Sequence, residues 1–232
     1  MKAIILMAGV GSRLGRSLPK CLLELPNGET ILGRQTRLLK PYCSEIIGVV
    51  GFKKEIIMEM YPKILYVYNP SFIQTNTAKS LLVAMESVAA DDILWLNGDV
   101  VFTEIALQKL LKTPGNAIGV EFRTVGEEEI KFTLDSEGYV REISKTVKGG
   151  LGEAIGINKV DRETFEGFKM ALEKCDNSDY FERAIELCAR NGLRFKAVDI
   201  GQEQCVEVDF IEDLDRAWRI VGDNCNSTGD SC

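Results

Sequence analysis

LMAGVGSRLGRSLPK, residues 6–20, is the stretch from which the rest of the chain is best read. An apolar run from Ala3 to Met7 passes directly into a turn holding Gly9 and Gly11. Arg13, Arg16 and Lys20 follow, the last just after Pro19, and the first acidic side chain of the protein is Glu24. A buried strand followed by a glycine turn with cations and no acid suits a polyphosphate. Glycine lets backbone N–H groups come close to the oxygens, and arginine and lysine neutralise them.

The background sharpens that reading. The 232 residues include 28 basic and 35 acidic side chains, a formal net charge of −7. The early basic cluster therefore runs against its surroundings, and general binding to nucleic acid or to an anionic membrane is not expected. There is no histidine, which removes serine–histidine and cysteine–histidine hydrolases and imidazole metal ligands. Chemistry must fall to carboxylates, lysine, arginine, hydroxyls or a metal held by oxygen. Seven scattered cysteines, none at the spacing of a zinc knuckle or redox dithiol, suit reduced thiols. The opening MKAIILMAGV imitates a signal peptide, but the run is short, arginines follow at once and no small-residue cleavage site closes it. No stretch approaches the roughly 20 apolar residues of a membrane span, so a cytoplasmic protein is expected.

Short apolar runs alternate with helical periodicity through the first half. Strands are expected at 2–8, 45–52, 64–69 and 92–99. Helices are expected near 30–40, capped by Thr30, over 77–89, and after Thr103. This rhythm argues for a parallel sheet with helices on both faces. The second half changes character, with short strands at 116–122, 130–135 and 139–144 joined by turns, then 153–159. Helices follow at 162–174 and 179–191, the latter with an Asp179…Glu182 capping box, and FKAVDI (195–200) and CVEVDF (205–210) read as late strands. A last helix carries Leu214, Ala217, Trp218 and Val221, and Trp95 and Trp218 both read as core. The expectation is an α/β, Rossmann-like, mostly parallel sheet flanked by helices, with antiparallel additions in the second half. It forms one domain over 1–222, with 223–232 a flexible tail.

Two motif readings compete at the glycine turn. Gly9, Gly11 and Gly15 make a loose dinucleotide fingerprint, which would suit a redox protein. Its third glycine is displaced, and Gly51, Phe52 and Lys53 stand where the second strand should end in an acid. The pattern Leu-x-Ala-Gly-x-Gly-x-Arg, a spacer, then Pro-Lys fits better: Leu6, Ala8, Gly9, Gly11, Arg13, Pro19 and Lys20. It resembles the nucleotidyltransferase superfamily that makes nucleoside diphosphate-activated sugars and alcohols. The small size and the Glu207-Val208-Asp209-Phe210 ending look closest to its phosphocholine and phosphonate cytidylyltransferases. A related glycosyltransferase fold would usually show a paired Asp-x-Asp where this chain has Asn97-Gly98-Asp99.

The resemblance implies transfer of CMP from CTP to a small acceptor bearing a phosphate or phosphonate, with release of pyrophosphate. The alternative is a sugar-1-phosphate nucleotidylyltransferase using UTP, GTP or dTTP. Arg13 and Lys20 would be the catalytic cations, and the nucleotide would lie against Leu6, Ala8, Gly9, Gly11, Ser12, Arg13 and Lys20. Asp99 ends the most apolar strand, where open α/β sheets bind ligands, and a carboxylate facing phosphates there suits Mg²⁺. The resemblance implies a late acid as its partner. Strand alternation puts Glu207 and Asp209 on one face; Asp209 is the choice and Glu207 the fallback. Asn76, Thr77 and Ser80 first of all suit helix-start caps, and the resemblance adds a nucleotide contact. It also implies acceptor contacts for Lys145 and Glu153.

Overall fold

The computed structural model describes residues 1–10, 18–201 and 203–222, except for the side chains of Ile211 and Glu212. Gly11, Ser12, Arg13, Gly15 and Arg16 of the loop lie outside the described residues, as does the 223–232 tail with Cys225 and Cys232.

The apolar opening forms β1 (Lys2–Met7), and its alternation serves both faces of a sheet. Ile4 and Leu6 pack into one core, and Ala3, Ile5 and Met7 into the other. Beside β1 run β2 (Glu45–Val50) and β4 (Ile93–Asn97), both parallel to it, and β3 (Leu65–Tyr68) lies outside β2. The helices α1 (Ile31–Leu39), α2 (Lys54–Met60) and α4 (Glu104–Lys112) cover the Met7 face. The opposite face carries α3 (Thr77–Glu86), α5 (Phe165–Glu173) and α6 (Glu182–Arg190). Thr30 and Thr103 cap α1 and α4 as their positions suggested, each side chain accepting a backbone N–H three residues on.

Antiparallel strands join the sheet in the second half. β9 (Glu153–Val160) is inserted between β4 and β6 (Ala117–Glu121), antiparallel to both. The hairpin β7 (Lys131–Leu134) and β8 (Val140–Ser144) attaches through β7 to the start of β9. β10 (Lys196–Asp199) closes the β6 edge as a parallel strand. With the β7–β8 hairpin off the main path, the order along the sheet is β10-β6-β9-β4-β1-β2-β3.

Two elements escape the sequence pattern and one of them matters. α2 is a single short helix with only Ile57 buried, too little apolar spacing to read. More consequential is β5 (Val100–Phe102), which pairs with β11 (Cys205–Glu207) to form a separate two-stranded antiparallel sheet. Under this small sheet α7 (Ile211–Gly222) packs Leu214, Ala217, Ile220 and Val221 against Val101, Val206 and Val208.

Three local expectations are corrected. α6 begins at Glu182 rather than at 179, and Phe181 precedes it without a side-chain cap. Asp179 is occupied elsewhere, accepting the Asp176 N–H at 2.7 Å, so no capping box forms. Trp218 is 47% exposed, because the buried face of α7 runs through residues 214, 217 and 221, about a quarter turn away. Trp95, by contrast, is fully buried and stacks on Phe168 at 4.9 Å.

Candidate active site

The carboxyl ends of β1 and β4 open onto a cleft of about 930 Å³. Close approach of these ends depends on Gly98. Its N–H donates to the Leu6 carbonyl at 2.8 Å, and a Cβ there would lie 2.9 Å from both that oxygen and the Met7 Cβ. The turn hands Asp99 to the mouth of the cleft and starts β5. Pairing of β5 with β11 in the register Val100↔Glu207 then brings the distant acids alongside, and the Val208 N–H donates to the Asp99 carbonyl at 3.0 Å. Val206 and Val208 point into the small core while Glu207 and Asp209 line the cleft, so the alternation read from CVEVDF holds.

Lys20 joins this pair. Pro19 leads into one 3-10 turn, Lys20–Leu22, whose Cys21 and Leu22 are buried and anchor the lysine. The Lys20 ammonium donates to Asp99 Oδ2 at 3.0 Å and also to Asp209 Oδ1, so one cation bridges two acids far apart in sequence. Burial pulls the Lys20 pKa down, but the charges of Asp99 and Asp209 outweigh it and leave it raised. Burial, against the opposing pull of Lys20, lifts the Asp99 carboxyl above its usual range. Glu207 is pushed much higher by burial and by the charges of Asp99 and Asp209. Its Oε1 accepts from Asn97 Nδ2 at 2.9 Å, so it stands apart from the Lys20 bridge.

Leu6, Ala8 and Gly9 line the same cleft, as do Asn76, Thr77 and Ser80. The last three already carry structural bonds. Asn76 caps α3 through the Thr77 N–H, and the Ser80 hydroxyl accepts from Asn69 Nδ2 at 3.1 Å. Thr77 Oγ1 accepts the Phe181 N–H at 3.1 Å and so ties the start of α6 to the start of α3. Lys145 also lines the cleft, 3.3 Å from Glu128 and 5.4 Å from the Tyr180 ring centroid. Glu153 is engaged by Arg123, whose guanidinium also approaches Glu121 and Glu129.

Sequence reasoning missed the two buried carboxylates of the cleft, Glu121 and Glu182. Glu121 is almost wholly buried, with Oε2 3.5 Å from Arg123 Nε and 3.9 Å from Arg216 Nη2. The signal was present, since it is an acid ending an otherwise apolar strand, NAIGVEF. Glu182 was read as a capping partner; it is a buried carboxylate at the first position of α6, and its Oε2 has no hydrogen-bond partner. Burial drives its carboxyl up to about 7, against its own backbone N–H and the charge of Lys145.

Known proteins resemble this chain in sequence and in fold. Residues 3–130 match the MobA-like NTP transferase domain. Over 231 residues the chain is 29% identical to the bifunctional protein GlmU of Methanococcus maripaludis, covering 97% of this chain and 54% of the relative. Identity is 28% to the CMP-5'-(3-aminopropyl)phosphonate synthase of Streptomyces rubellomurinus, covering 90% of this chain and 37% of that protein. The chain thus spans about half or less of the length of these curated relatives. The inositol-1-phosphate CTP transferase from T. maritima shares the fold, with a TM-score of 0.77 over 100% of this chain and 98% of its own, at 17% identity. Because the matched region holds the glycine turn, Lys20 and Asp99 and spans more than half of the sequence, the chain belongs to the MobA-like NTP transferase domain family, and the redox reading of its glycines falls away.

Proposed function

We propose that this chain transfers CMP from CTP to a small acceptor bearing a phosphate or phosphonate, releasing pyrophosphate. The observation that carries this reading is the Lys20 ammonium held between Asp99 and Asp209 beside the β1 turn. The similarity to a CMP-phosphonate synthase over 90% of the chain supports the choice of nucleotide and acceptor.

The chemistry suits a chain without histidine. A phosphate or phosphonate oxygen is already anionic near neutral pH, so the attack on the α-phosphorus needs no general base. What the site must supply is position and neutralisation of charge. Lys20 would release a carboxylate to meet the triphosphate, backbone N–H groups of the turn at Ala8 and Gly9 would face its oxygens, and Arg13 would add a second cation. Asp99 and Asp209 offer two hard oxygen ligands, which fits Mg²⁺, an ion that completes its shell with phosphate oxygens and water. Bound there, Mg²⁺ would neutralise the triphosphate and orient its α-phosphorus.

A pyrophosphate-release assay crossing CTP, UTP, GTP and dTTP with phosphocholine, 2-aminoethylphosphonate, glycerol phosphate and a hexose-1-phosphate tests the reading. CTP with a phosphate or phosphonate other than the sugar is the expected pair. Asp99→Asn is expected to lower turnover by about 10²–10³ while the fold persists. Turnover confined to UTP and the hexose-1-phosphate would instead establish the sugar-nucleotide alternative.

A further inference from the structure

Glu182 has no part in the chemistry above, yet it lines the cleft. It is only 6% exposed, and its Oε2 is buried without a donor. A helix start gains from a nearby acid, but an exposed one serves as well and avoids the cost of desolvation. The surroundings are also unusual for a site that takes anions. Among the described residues that line the cleft, carboxylates outnumber cations about two to one. Apart from Lys20, held by Asp99 and Asp209, and from Arg123 and Arg216, both beside Glu121, the cation among the described residues of the cleft is Lys145, which lies 3.3 Å from the exposed Glu128 and over Tyr180, two residues before Glu182. Lys145 and Glu182 therefore present opposite charges to one cleft.

We infer that the acceptor is a short zwitterion whose primary ammonium group is bound by Glu182. This rests on the proposed cytidylyl transfer and deepens it. The acceptor's phosphate or phosphonate would lie toward Lys145 and Lys20, and its ammonium group against Glu182. An N–H-bearing ammonium fits better than a quaternary one for two reasons. A buried carboxylate oxygen that lacks a donor needs an N–H, and a quaternary nitrogen has none. The aromatic face two residues before Glu182, Tyr180, already has the Lys145 ammonium 5.4 Å from its centroid. Thr77 acts indirectly as a positioning residue, because its bond to the Phe181 N–H fixes the turn that delivers Glu182.

The test compares three acceptors with CTP and Mg²⁺, followed by pyrophosphate release: 2-aminoethylphosphonate, ethylphosphonate and phosphocholine. The wild-type protein is expected to use the aminated phosphonate with a kcat/KM about tenfold or more above the other two, the usual reach of a charged hydrogen bond. Glu182→Gln should raise the KM for 2-aminoethylphosphonate by a similar factor, leave the KM for CTP unchanged and erase the preference over ethylphosphonate. A thermal melt checks that the variant is folded. Equal use of ethylphosphonate, a preference for phosphocholine, or an unaltered KM in Glu182→Gln would each overturn the ammonium site while leaving the transfer reaction standing. Absence of pyrophosphate with every acceptor and nucleotide would overturn the transfer reading and the ammonium site together.

Discussion

A Lys20→Met protein is expected to lose about 10²–10³ in turnover and, at the same time, to bind Mn²⁺ more tightly in the absence of nucleotide. Both effects come from the same contact. In the free protein the Lys20 ammonium bonds to Asp99 and Asp209, the two carboxylates proposed to hold the metal. Any divalent ion must compete with a tethered cation already there. Removing that cation leaves two partly buried like charges side by side, an arrangement that is unstable alone and attractive to a divalent ion. When nucleotide is present, its triphosphate offers Lys20 another partner, and metal and nucleotide should bind cooperatively to the wild-type protein. Thermal melts over a Mn²⁺ titration, with and without CTP, read this directly. The variant should melt below the wild type without metal and gain more from Mn²⁺ alone, whereas the wild type should need both ligands for its full gain. Identical Mn²⁺ responses of the two proteins without nucleotide would show that Lys20 does not guard the carboxylate pair.

The sequence disclosed most where the deciding interactions are local. Alternation in KAIILM set the two faces of β1, and Thr30 and Thr103 announced their helices because a cap bonds three residues ahead. Asp99 was visible as the acid after an apolar strand, and the Val206, Val208 alternation foretold which late acids face the cleft. What stayed hidden depends on long-range assembly. β5 is only three residues long, too short for any period, and forms because β11 arrives from the far end of the chain. The resemblance put Lys20, Asp99 and Asp209 at one site, but the direct contact of Lys20 with both acids follows from that pairing and could not be read from the sequence. Glu182 was misread for a related reason. Its neighbours fit a capping box with Glu182 one turn into the helix, but α6 begins three residues later, where the Phe181 N–H bonds to Thr77, and Glu182 is its buried first residue. Lys145 and Glu153 were readable as polar strand-end residues, yet their partners Glu128 and Arg123 come from the segment that joins β6 to β7.

Glu182 should also make the free protein less stable at neutral and alkaline pH than it could be. Burial raises its carboxyl from 4.5 in the open chain to about 7 in the fold. Between those values the folded protein holds a proton that the unfolded chain has released, so stability falls as pH rises through this window and the penalty is complete above it. Glutamine has nearly the same shape, fills the same volume and never ionises. Glu182→Gln is therefore expected to match the wild type near pH 4 and to become more stable by about 3 kcal/mol above pH 8, the free energy equivalent to such a shift. Denaturant unfolding at several pH values measures the difference, in which other titrating groups cancel between the two proteins. Parallel curves separated by a constant offset would show that the carboxyl titrates normally and is not desolvated. The two experiments on this residue then bear on each other. A side chain that destabilises the empty protein and tightens acceptor binding is retained for its ligand. An aminated phosphonate, by placing a cation beside the ionised carboxylate, should raise the wild-type melting temperature more at pH 8 than at pH 5, and should have no such pH-dependent effect on the glutamine variant.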